Sequence, residues 1–72
     1  MIKIKTDYPT LTESRIIKGM SGADLARGTG ITRQGVHGIE SGKSNPSPAL
    51  AKKIAAILEV QFDDIFSLVE GE

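Results

Sequence analysis

Apolar residues recur at helical spacing in five stretches of the chain, most of them opened by a residue able to cap a helix. The first runs from Thr10 to Lys18, where Thr10 and Glu13 have the spacing of a capping box ahead of Ile16 and Ile17. Ser21 and Asp24 repeat that spacing before Leu25 and Ala26, which predicts a helix of about two turns ending near Gly28 or Gly30. Thr32 opens a third helix with Val36 and Ile39 facing inward, stopped by Ser41 and Gly42. The polar stretch SGKSNPSP is a loop, and Ser47 with Pro48 then starts a fourth helix whose stripe is Leu50, Ile54, Ile57 and Leu58. Asp63 and Asp64 fall in the first turn of a fifth, with Phe62, Ile65, Phe66 and Val69 on one side.

Two positions break the pattern. MIKIK alternates Ile2 and Ile4 with Lys3 and Lys5, as a strand does. A strand needs a partner, and no second strand is legible, so residues 1–9 are expected to be either a frayed tail or an arm that pairs outside the chain. In GITRQGVHGIESG, Gly35 and Gly38 interrupt the third helix, and each weakens it by ~1 kcal/mol relative to Ala. Either that segment is not helical or its surface is approached closely by something else.

At 72 residues the chain is expected to form a single domain, 1–72, with one modest core. It has no cysteine, hence no disulfide and no thiolate, and no apolar run long enough to span a membrane. The expectation is a soluble, cytoplasmic protein. Nine basic and nine acidic side chains cancel, but they are segregated. Residues 15–53 hold seven cations against two anions, a local excess of five, whereas from residue 54 onward there are five anions and no cation. This distribution fits a nucleic-acid face beside an acidic end, and it equally fits ordinary solvated charge. The one histidine, His37, has no metal-ligand spacing around it, and adjacent Asp63 and Asp64 diverge by about 100° on a helix. No catalytic constellation, cofactor motif or metal site is expected, so the chain is read as a non-enzyme with no small-molecule substrate.

The stretch SGADLARGTGITRQGVHGIESG, about residues 21–41, resembles the helix-turn-helix of the Cro/CI-type (XRE-family) regulators of phages and bacteria. Leu25-Ala26, Gly30-Ile31-Thr32-Arg33, Val36, Ile39-Glu40 and Gly42 carry the likeness, and it extends from about Leu11 to Phe66. The resemblance implies an all-α, lambda-repressor-like domain of five short helices in a bacterial host. It also implies an inward ion pair between Arg15 and Glu40. In DNA-binding members the second helix of the motif enters the major groove. Carried over, Arg33 and Gln34 occupy reading positions, His37 lies near the groove wall, and Lys43, Ser44 and Asn45 meet phosphates. Taken singly, Arg33, His37 and Lys43 are equally well read as solvated surface residues.

This chain departs from the family where Gly22 opens the second helix in place of a common phosphate-contacting Gln, and where Gly35 and Gly38 replace outward polar side chains. Those departures turn the expectation toward a protein partner. The chain resembles the small antirepressors of temperate lactococcal phage switches, which take a CI-type repressor off its operators. On that reading Arg33, Gln34, Gly35, His37 and Gly38 contact the repressor. The alternative is a Cro-like dimer binding double-stranded operator DNA and self-associating through Phe62, Phe66, Leu68 and Val69. A chromosomal antitoxin of the same fold fits less specifically.

Overall fold

The computed structural model describes residues 1–71. In chain order it has strand β1 (Ile2–Thr6), helices α1 (Tyr8–Ile17), α2 (Gly22–Thr29), α3 (Arg33–Glu40), α4 (Pro48–Leu58) and α5 (Phe62–Ile65), and strand β2 (Phe66–Glu70). The five helices expected from the periodicity are present, and a two-stranded sheet is a small addition to them.

That sheet corrects the expectation of a tail or arm at residues 1–9. β1 pairs antiparallel with β2, placing Ile4 opposite Leu68 and Thr6 opposite Phe66. Ile4 and Thr6 are buried while Lys3 and Lys5 face solvent, so the alternation read in MIKIK is that of a half-buried strand. The fifth helix does not reach Val69. It closes after one turn, when the Phe66 N–H donates to the Phe62 carbonyl and Phe66 itself turns extended. From there the side-chain period changes from 3.6 to 2, and Leu68 and Val69 belong to a strand.

The start of α1 also differs from expectation. Asp7, not Thr10, is the cap: its Oδ1 accepts from the Thr10 N–H at 3.3 Å, with Pro9 in the first turn, where a missing donor does no harm. Leu11 is the core residue of this helix, and Ile16 and Ile17 are exposed. α4 starts as read, with Ser47 Oγ accepting from the Leu50 N–H at 3.3 Å.

One core collects Leu11, Leu25, Ala26, Val36, Ile39, Ala51, Ile54, Leu58 and Ile65 from the helices, with Ile4 and Phe66 from the sheet. Burying Phe66 and half-burying Phe62 removes both from the self-association surface expected above, leaving Leu68 and Val69 exposed. Among the described residues no helix is long and apolar enough to cross a membrane.

Candidate nucleic-acid interface

The α2–α3 pair is built by local capping. Ser21 and Asp24 form the reciprocal capping box at the start of α2, through contacts of 3.0 and 2.9 Å. Gly30 ends the helix in the left-handed conformation, φ +79°, which a residue with a Cβ adopts at a cost. Thr32 Oγ1 then accepts from the Gly35 N–H at 3.0 Å and opens α3. Small Ala26 and the buried pair Val36 and Ile39 let the two helices pack on the core.

With Val36 and Ile39 inward, Arg33, Gln34 and His37 are exposed together and line one open depression. Arg33 and Gln34 occupy the first turn of α3, so their long side chains stand at the end of the helix that can lead into a groove.

Arg15 and Glu40 form an ion pair behind this face, Nε to Oε2 at 2.8 Å and Nη2 to Oε1 at 3.0 Å. The guanidinium also donates to the Met20 carbonyl at 2.8 Å, and Thr12 donates to Glu40 Oε1 at 2.9 Å. The Arg15 pKa is raised, first by the hydrogen bond to Glu40 and opposed by burial. This cluster ties α1, α3 and the turn before α2 into one unit.

Of the two glycines in α3, Gly38 does not make the open surface expected of it, whereas Gly35 leaves room for a Cβ at ordinary contact distance. Gly35 and Gly38 are half-buried. A Cβ at Gly35 would lie 3.4 Å from both Ile31 Cδ1 and Thr32 Oγ1, and a Cβ at Gly38 would fall 3.0 Å from Ser44 Oγ. The chain after α3 folds back on Gly38, whose carbonyl accepts from the N–H groups of Lys43 at 2.9 Å and Ser44 at 3.2 Å. At Gly38 the missing side chain is therefore replaced by Ser44 of the same molecule. Gly22, at the start of α2, has Val36 Cγ1 at 4.0 Å from its Cβ position, so that site has room.

Lys43, Ser44 and Asn45 are exposed on the loop between α3 and α4, which buried Pro46 anchors. Asn45 Oδ1 accepts from the Thr6 hydroxyl at 3.0 Å. Arg27 pairs with Asp24 and Lys18 with Glu59, while Arg33, Lys43, Lys52 and Lys53 make no ion pair among the described residues. The cations left unneutralised thus include the one on the exposed side of α3 and the one on the loop after it. Asp24 itself is held below the usual carboxylate range, first by the Ser21 N–H that donates to it.

Thr12, through Glu40, and Thr6, through Asn45, belong to this framework without having been expected there. Thr12 could have been found from its i,i+3 relation to Arg15. Thr6 continues the parity of Ile2 and Ile4, but its partner Asn45 leaves no sequence signal.

A helix-turn-helix family model (HTH_3) matches residues 11–65. An uncharacterized HTH-type transcriptional regulator of Methanocaldococcus jannaschii is 40% identical over 58 residues, covering 81% of this chain and 88% of the relative. A second, from Archaeoglobus fulgidus, is 38% identical over 62 residues, covering 86% of this chain and 89% of its own. Among solved structures, the restriction-modification controller protein C.AhdI of Aeromonas hydrophila superposes with a TM-score of 0.74 at 33% identity, covering 79% of this chain and 86% of that one.

Proposed function

Because the chain belongs to the HTH_3 helix-turn-helix family of transcriptional regulators, we propose that it binds double-stranded operator DNA through the exposed side of α3. The joint exposure of Arg33, Gln34 and His37 over a buried Val36–Ile39 seam carries this reading. Arg33 grips guanine O6 and N7, and Gln34 pairs with adenine N6 and N7, since each presents the matching bidentate pattern. His37 lies toward the groove wall. Lys43, Ser44 and Asn45 contact phosphate, as does the start of α2 at Gly22, where only backbone N–H groups are offered.

A second reading, an antirepressor that docks this same face on a CI-type repressor, is favoured by one observation. The formal net charge is zero, which gives little long-range attraction to phosphate. Gly38 does not add to it, because Ser44 of the same molecule occupies the space above that glycine; Gly35, where a Cβ would meet only ordinary contacts at 3.4 Å, favours neither partner.

Selection from randomised duplexes, followed by gel-shift titration with and without a CI-type repressor from the same genome, separates the two. The DNA reading expects an enriched sequence that the chain binds alone, with Arg33→Ala losing about 1–3 kcal/mol of discrimination at one guanine. Release of bound repressor without binding of the duplex by this chain replaces that reading with the second.

A further inference from the structure

The loop from Ser41 to Asn45 is held from two sides. On its inner side the Gly38 carbonyl accepts the Lys43 and Ser44 N–H groups. On its outer side two contacts come from the far end of the sequence. Thr6, only 5% exposed, donates its hydroxyl to Asn45 Oδ1 at 3.0 Å. The Tyr8 ring lies over Gly42, so closely that a Cβ there would fall 2.7 Å from Cε1 and 3.0 Å from Cζ.

Gly42 has φ +80°, so the backbone at this point is both turned left-handed and roofed by an aromatic ring. Thr6 and Tyr8 flank Asp7, and Asp7 is itself fixed twice: its N–H donates to the Ile65 carbonyl at 2.7 Å and its carboxylate caps α1. The β1–α1 junction is therefore a rigid block, and the loop is clamped to it at Gly42 and Asn45. Between the clamped points lie Lys43 and Ser44.

We propose that Thr6 and Tyr8 are positioning residues for DNA binding: through Asn45 and Gly42 they hold the loop after α3 in the conformation that contacts phosphate. The inference rests on the DNA-binding reading above. With Asn45 Oδ1 committed to Thr6, the group left to meet a phosphate oxygen is its amide N–H2, which makes no hydrogen bond among the described residues. Released from the clamp, the loop no longer keeps one of its phosphate contacts, so the loss appears in affinity and in salt dependence and leaves base discrimination unchanged.

Thr6→Val removes the hydroxyl at nearly constant shape, and Thr6→Ser restores it. Each is titrated against a fluorescent 30-base-pair duplex of mixed sequence from about 50 to 200 mM salt, where phosphate contacts dominate binding. In the free proteins, amide hydrogen exchange is followed at Lys43, Ser44 and Asn45. Thr6→Val is expected to bind about five-fold more weakly, with a salt slope shallower by about 0.9. Loop exchange should be faster and helix exchange unchanged, and Thr6→Ser should recover both. Wild-type binding with an unchanged slope in Thr6→Val overturns the clamp alone, as does unchanged loop exchange. A wild-type chain that binds no duplex at the lowest salt overturns the DNA-binding reading, and the positioning role falls with it.

Discussion

Arg15 and Glu40, 25 residues apart in sequence, meet in two charge-assisted hydrogen bonds of 2.8 and 3.0 Å that join α1 to the last residue of α3. The pair is 15% and 12% exposed, and the remaining bonds to Met20 and Thr12 take up further capacity of both groups. It fixes the inner side of α3 and hence the direction in which the outer side points.

Removing one partner strands the other charge with little access to water. Glu40→Ala is expected to destabilise the fold by roughly 3 kcal/mol, which in a domain of this size lowers the melting temperature by more than about 12 °C. Replacing both residues by apolar ones of similar volume should recover most of that loss. Thermal denaturation of the single and double variants checks it, and a near-neutral single variant would contradict it.

Ile4 is 8% exposed, so the first strand contributes to the core as well as to the sheet. Ile4→Ala should cost about 2–4 kcal/mol in urea denaturation. A change below about 0.5 kcal/mol, the range of surface substitutions, would mean that the β1–β2 pairing does not hold in solution.

Gly38→Ala sets two opposed effects against each other. Helix propensity favours Ala by ~1 kcal/mol, while the new methyl group presses on Ser44 Oγ, 3.0 Å away. Ser44 is an exposed loop residue whose hydroxyl can rotate, so the single variant should be close to neutral. In a Ser44→Ala background, where the hydroxyl is gone, Gly38→Ala should be stabilising. Equal effects in both backgrounds would show that Ser44 is not what fills the glycine position.

Asp24 gives a pH dependence of defined sign. Its folded-state pKa lies below the ordinary carboxylate value, so the folded chain favours the ionised form. The stability it contributes is present above its unfolded value of about 3.9 and is lost as the pH falls through the folded value. Melting of wild type and Asp24→Ala should therefore differ at pH 7 and converge as the pH falls well below about 3.9. A gap that persists unchanged at the lowest pH would contradict the assignment.

The helix-turn-helix was legible because local rules and tertiary structure agree there. Ser21 and Asp24 cap, Gly30 turns left-handed, and Val36 and Ile39 face the core at helical spacing. The sheet was not legible, because its strands lie at opposite ends of the chain and the second follows a single helical turn. Phe66 satisfies a helical stripe and a strand parity at once, and only its pairing opposite Thr6 decides between them. The joint exposure of Arg33, Gln34 and His37 follows from Val36 and Ile39 facing inward, while their roles as reading residues come from the likeness to the family. The roles of Gly38 and Asn45 were not legible, since both depend on long-range or loop contacts, with Ser44 and Thr6, that carry no periodic signal.

The central claim is that the outer side of α3, with the loop after it, is the surface presented to DNA. Titrating an isotope-labelled chain with a duplex obtained by selection, and following backbone amide shifts, tests it residue by residue. The account predicts that the largest changes fall at residues 33–37 and 43–45, while the exposed Ile16 and Ile17 on α1 stay still. Changes centred on α1 or on the β1–β2 sheet, with residues 33–37 unmoved, would contradict it.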